Sequence, residues 1–194
     1  MIVGLTGMSG AGKSYVAACF GHAGFNIIDA DKVYHSLVSC ESDCIREIED
    51  AFGGSVINPD RSLNRSVLSP IVFGDSEKLE LLNRITHKYV LAQIRQEISV
   101  LSGICVVDAP QLFESGFDDE CDLIIGVVAD IDVCVNRIVV RDKITPEKAR
   151  SRLTNQHDRI YFESRCDIII INNGNDISND IENTIKLIKE KNYV

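Results

Sequence analysis

The sequence predicts an α/β protein built on a doubly wound, parallel, five-stranded sheet. Three observations predict it. Five short β-branched runs are continuously apolar rather than alternating, the pattern of strands buried on both faces. Stretches of helical periodicity lie between them. The first run passes through a glycine-rich turn straight into a helical stretch, as in open α/β sheets.

The elements follow in order. "MIVGL" (1–5) is the first strand, and residues 13–23 form a helix with Val16, Ala17 and Phe20 on one side. "FNIID" (25–29) is the second strand. About 75 mainly helical residues separate it from the third, "ICVVD" (104–108), and include a long helix at 75–101 that lines up Leu79, Leu82, Ile85, Tyr89, Ile94 and Ile98. "DLIIGVVA" (122–129) is the fourth strand, and Arg137 and Arg141 are placed in the last turn of the helix after it. Thr145 and Pro146 read as N-cap and first position of another helix. "DIIIIN" (167–172) is the fifth strand, and a helix carrying Ile177, Ile181, Ile185 and Ile188 on one face closes the chain through Val194. The uneven spacing predicts a core of 1–32, 102–136 and 166–194, a helical substrate-binding insertion at 33–101, and a helical lid at 137–165.

The chain has 194 residues, enough for one well-buried core. Its formal net charge of −9 argues against a nucleic-acid partner. Residues 137–165 nevertheless hold eight Lys and Arg against four Asp and Glu, which suits either a small polyanion or a solvated helical face. Seven cysteines without a C-x-x-C pair, and four scattered histidines, predict reduced thiols and neither a disulfide framework nor a zinc site. No apolar run is long enough for a membrane span, and the N-terminus lacks a signal-peptide pattern, so a cytoplasmic protein is expected.

"GMSGAGKS", Gly7 to Ser14, fits G-x-x-x-x-G-K-[ST] without a mismatch and has a strand before it and a helix after it. Glycines let backbone N–H groups turn toward a phosphate, and the helix N-terminus adds its dipole. Lys13 is expected at the β- and γ-phosphates and Ser14 on Mg²⁺. The alternative is a tight turn with a surface lysine. Asp29 and Asp31 follow the second strand; they read either as a proton acceptor with a metal-holding partner, sharing one side of an extended chain, or as helix caps. Asp108 ends the third strand, as an acid that holds Mg²⁺ through water does. Glu114 reads equally as a surface acid or a substrate ligand. Arg137 and Arg141 share a helix face and suit charge stabilisation at a transferring phosphoryl group, or simple pairing with Asp142 or Glu147. A missing guanine-recognition motif and the small size point to a small-molecule kinase. A nucleoside kinase and a non-catalytic ATP-binding module are the competing readings.

Together these motifs resemble the dephospho-coenzyme A kinase family. The resemblance rests on the glycine loop, "IDAD" (28–31), "FGG" (52–54), "LNR" (63–65), "LNRITH" (82–87), "DAPQLFE" (108–114), R-x-x-x-R-D (137–142), Gln156 and "CDIIIINNG" (166–174). It implies a P-loop kinase that uses ATP, with Mg²⁺, to phosphorylate the ribose 3′-hydroxyl of dephospho-coenzyme A. It implies Asp31 as general base, with Lys13 and Arg141 stabilising the transferring group. It places Gly10, Ala11, Gly12, Lys13, Ser14, Tyr15, Arg137, Asn173 and Gly174 at ATP. Asp31, Leu63, Arg65, His87, Leu112, Phe113 and Glu114 fall at the acceptor, and Ser14 and Asp108 at the metal. Five residues depart from the family's usual pattern: Tyr15 for Thr, Arg61 for Gly, Lys88 for Pro, Gln111 for Leu and Cys134 for Gln.

Overall fold

The structure is a computed structural model that describes residues 1–192. The predicted sheet is present, with strands β1 (Ile2–Gly7), β2 (Asn26–Asp29), β3 (Cys105–Asp108), β4 (Leu123–Val128) and β5 (Ile168–Ile171) in the order β2-β3-β1-β4-β5. β1 runs parallel to β3 and β4, and β4 parallel to β5. Val3, Leu5, Val106, Val107, Ile125 and Val127 are all fully buried. Successive side chains point to opposite faces, so neighbours such as Val106 and Val107 can both be buried only because both faces are covered. That is why these strands read as unbroken apolar runs. β1 is central, and its carboxyl end lies between strands reached by crossovers in opposite directions, where open α/β sheets bind ligands.

The chain divides into two compact units, one formed by Met1–Ile28 with the chain from Leu101 onward, the other by Asp29–Val100. In the first unit, α1 (Lys13–His22) buries the predicted Val16, Ala17 and Phe20. α6 (Ile131–Asp142) follows β4 and buries Cys134, Val135 and Ile138. Arg137 therefore sits mid-helix, not in the last turn as the sequence reading had it. The helix starts immediately after the Asp130 cap and runs 12 residues, so only Arg141 reaches its end. α7 (Pro146–Thr154) begins at the predicted Thr145, whose hydroxyl accepts from Lys148 N–H. α8 (Arg159–Glu163) is a separate short helix capped by Asp158. α9 (Ser178–Asn192) buries Ile181 and Ile188, and Ile177 is buried just before it. The expected continuation to Tyr193 and Val194 lies outside the described residues.

The second unit is helical: α2 (Ala30–Val38), α3 (Asp43–Phe52), α4 (Arg65–Phe73) and α5 (Ser76–Val100). Its own core includes Val38, Ile45, Ile48, Val56, Leu68 and Ile85. Side-chain caps fix where helices begin: Ser42 accepts from Ile45 N–H, and Asn64 from Val67 N–H. The sequence showed α5 but not α3 and α4 as separate helices. Among the described residues, no helix is long and apolar enough to cross a membrane.

Candidate active site

The glycine loop leaves the carboxyl end of β1 and ends in Gly12, the N-cap of α1, at φ 102°. An L side chain there would be strained, and its Cβ would collide with Asn172 Nδ2. Among the described residues no side chain caps α1, and its first turn carries no acid. No carboxylate in that turn therefore competes with an anion for the positive end of the α1 dipole. Lys13 Nζ lies 3.4 Å from Gly7 O, so the ammonium folds back over the loop. Ser14 occupies the second position of α1 and is exposed; Tyr15 beside it is also exposed.

Asp108 ends β3 level with Leu5 of β1, and its Oδ1 is shielded from solvent. The Ser14 hydroxyl and the Asp108 carboxylate are hard oxygen donors, the kind Mg²⁺ prefers, so these residues fit that ion in company with phosphate oxygens and water. Among the described residues there is no cluster of three or more His, Cys, Asp and Glu that would form an all-protein metal cage. Mg²⁺ rarely uses one, so the two observations agree.

The remaining predicted residues of the first unit are placed as follows. Arg137 is spread over the back of the loop: Nη1 lies 3.2 Å from Gly10 O, 3.1 Å from Ala11 O and 3.0 Å from Asn172 O, and Nη2 lies 3.0 Å from Asn172 Oδ1. Arg141 donates to Asp142 from Nε and Nη2, at 2.7 and 3.1 Å, and Asp142 also accepts from Arg152 at 2.7 Å. The hydrogen bond from Arg141 leads the causes holding Asp142 below the usual carboxylate range. Asn173 is bound to Asp130, and Gly174 follows at φ 94°. Leu112 is fully buried, while Phe113 meets the Tyr161 ring edge-on. Glu114 pairs with His157 at 3.1 Å; His157 stacks on Tyr161, which Arg165 covers at 4.6 Å.

In the second unit, Asp29 accepts from Lys32 N–H at 3.0 Å and pairs with Lys32 Nζ at 3.1 Å. The capping reading holds for Asp29. Asp31 already lies in the first turn of α2, exposed, so the two carboxylates do not share one extended run as the sequence reading had it. Leu63 is buried in the lobe core. Arg65 Nη2 donates to His35 Nδ1 at 2.6 Å, and its guanidinium lies 5.4 Å from the Tyr34 ring centroid. His87 is half-buried on α5.

A family model described as dephospho-CoA kinase matches residues 1–178. The chain belongs to the dephospho-CoA kinase family. It is 36% identical over 176 residues to the dephospho-CoA kinase of Fusobacterium nucleatum, covering 90% of this chain and 91% of that protein. Its fold is similar to that of TT1252 from Thermus thermophilus, with a TM-score of 0.83 at 26% identity over 98% of this chain and 97% of that one. It also resembles the dephospho-CoA kinase from Campylobacter jejuni, with a TM-score of 0.68 at 26% identity over 99% and 97% of the two chains. The dephospho-CoA kinase motifs thus sit on a P-loop kinase fold.

Sequence reasoning passed over three residues that contact predicted site residues of this dephospho-CoA kinase family chain, each within its own unit. Asn172 binds both the loop and Arg137. His35 holds Arg65, and His157 holds Glu114. Only Asn172 had a signal, its place inside "CDIIIINNG". Leu63 and Leu112 point the other way: apolar residues within functional motifs, they serve the hydrophobic cores.

Proposed function

We propose that the chain transfers the γ-phosphoryl group of ATP to the ribose 3′-hydroxyl of dephospho-coenzyme A, giving coenzyme A and ADP. The observation that carries this reading is a Gly7–Ser14 phosphate loop, at the carboxyl end of β1, in a chain whose residues 1–178 match the family model. The loop from Gly10 to Tyr15 and the positive end of the α1 dipole bind the triphosphate. Lys13 neutralises charge at the β- and γ-phosphates. Ser14 and Asp108 would hold Mg²⁺, which would supply charge neutralisation for the transfer.

Asp31 takes the proton from the attacking 3′-hydroxyl. Its place just after the chain leaves β2, and its freedom from the capping duty that Asp29 performs, support that role. Arg141 stabilises negative charge on the transferring group; it stands at the end of α6, where the basic 137–165 segment serves as a lid that excludes water. Asn173 and Gly174 border the adenine. Arg65, His87 and the segment from Leu112 to Glu114 shape the acceptor pocket, Leu112 and Leu63 through packing and main chain. Seven free thiols suit a reducing compartment and support a cytoplasmic setting.

The test is to incubate the full chain with Mg·ATP and a panel of hydroxyl acceptors. ADP release with dephospho-coenzyme A and not with nucleosides is the expected result. Turnover of a nucleoside alone would assign a different acceptor, and ATP binding without turnover of any acceptor would make the chain a binding module.

A further inference from the structure

Two side chains grip the glycine loop from behind. α6 packs its backbone against Gly10 so closely that a Cβ there would lie 2.8 Å from Cys134 O. One turn later on the helix, Arg137 reaches three carbonyls of the loop and of residue 172. Asn172, buried and just past β5, donates from Nδ2 to Ala11 O at 2.8 Å and accepts from Arg137 on Oδ1. The Ala11 carbonyl therefore has two donors on one side.

We propose that Arg137 and Asn172 are positioning residues for ATP, acting through the loop and not by touching the nucleotide. In a trans peptide, C=O and N–H point in opposite directions. Fixing the Ala11 carbonyl toward the clamp turns the Gly12 N–H away from it, at the start of α1. The clamp also explains the demand for glycine at position 12, because any Cβ would meet Asn172 Nδ2. The four hydrogen bonds of Arg137 go to neutral oxygens, so its full positive charge stays behind the loop and raises the potential that a triphosphate feels. Lysine cannot substitute. An ammonium is a compact point charge, whereas this contact uses two nitrogens of a planar fork.

The inference rests on the ATP reading, so the experiment measures ATP binding directly. The full chain and its Arg137→Lys, Arg137→Met and Asn172→Ala variants are titrated calorimetrically with ATP and assayed for KM and kcat. The clamp predicts that each variant weakens ATP binding about tenfold or more and lowers kcat, with KM for the acceptor within about twofold, since a displaced loop misplaces the reacting phosphate. It predicts a loss for Lys as well as for Met at position 137, the Met loss being the larger because Lys keeps the charge behind the loop. The double variant Arg137→Lys/Asn172→Ala loses little more than either single one, because the two share one network. Wild-type ATP affinity in Arg137→Lys beside a loss in Arg137→Met overturns the clamp in favour of direct charge contact. Lowered Tm with unchanged ATP affinity and kcat overturns it in favour of a packing role. If Asn172→Ala does not fold, the isosteric Asn172→Asp replaces it; it keeps the acceptor for Arg137, loses the donor to Ala11, offsets the Arg137 charge, and is expected to show at least the same loss. A wild-type chain that fails to bind ATP overturns the kinase reading itself, a result distinct from all of these.

Discussion

Asp130 and Asn173 exchange two hydrogen bonds: Asp130 N–H donates to Asn173 Oδ1 at 2.7 Å, and Asn173 Nδ2 donates to Asp130 Oδ2 at 2.8 Å. The pair ties the turn after β4 to the turn after β5. Asn173→Ala should cost about 1 kcal/mol, the worth of an ordinary hydrogen bond in a half-exposed place. Asn173→Asp should be worse at neutral pH, because it sets a second carboxylate against Asp130. The proton that the pair then lacks returns as pH falls, so the deficit of Asn173→Asp should shrink between pH 7.5 and pH 4.5 while that of Asn173→Ala does not. Urea denaturation at the two pH values separates them.

Asp31→Asn removes a proton acceptor while keeping size and shape. If Asp31 is the base, kcat falls about 10²–10⁴-fold. Affinity for ATP stays within about twofold, because the phosphate loop is built from other residues. Asp29→Asn should behave differently: an asparagine still caps α2, so kcat stays close to wild type and stability changes by a few tenths of a kcal/mol. Steady-state kinetics on the two variants, with calorimetric ATP binding, checks the split between neighbouring acids. A kcat near wild type in Asp31→Asn would remove it from the mechanism.

Local pattern reveals local structure, and these residues show its limits. The strands were readable because burial on both faces leaves an unbroken apolar run, and α7 because Thr145 and Pro146 carry their cap chemistry in sequence. The phosphate loop was readable because its backbone geometry demands glycines at fixed spacing. Asn172 was not, since its contact is with Ala11, 161 residues away. Nothing near it in sequence encodes that partner. The same holds for His35 with Arg65, 30 residues apart. The sequence placed the end of β2 at Asp29 correctly but did not show that α2 begins at once, at Ala30, and that start makes Asp29 the cap and puts Asp31 in the first turn.

The thiols should differ sharply in reactivity. Burial pushes Cys44 up to about 11, and burial with neighbouring carboxylates pushes Cys121 and Cys166 up to about 12, from an ordinary value of 9.0. Cys40 is exposed. A disulfide reagent at pH 8 should therefore label Cys40 in a fast phase that Cys40→Ser abolishes, with Cys44, Cys121 and Cys166 labelled only on unfolding. The same shifts set a stability window. The folded state holds these protons more tightly, so their stabilisation is complete below pH 9 and is lost as pH rises from 9 toward 12. Denaturation midpoints should fall across that alkaline range, and less so in Cys121→Ala/Cys166→Ala relative to that variant's own value at pH 8.

Lys143 ends α6 in the left-handed region, at φ 53° and ψ 42°. A side chain in that conformation crowds its own carbonyl, which is why glycine usually takes this place after a helix. Lys143 is exposed, so its removal leaves no cavity. Lys143→Gly relieves the crowding and adds unfolded-state entropy, two opposed effects that leave a gain of about 0.5–1 kcal/mol. Lys143→Val should lose about 1 kcal/mol or more, since a β-branched side chain fits the left-handed region worst. Chemical denaturation of both variants gives the two signs. A loss in Lys143→Gly would mean that the strain at this turn is smaller than the entropy glycine adds to the unfolded chain.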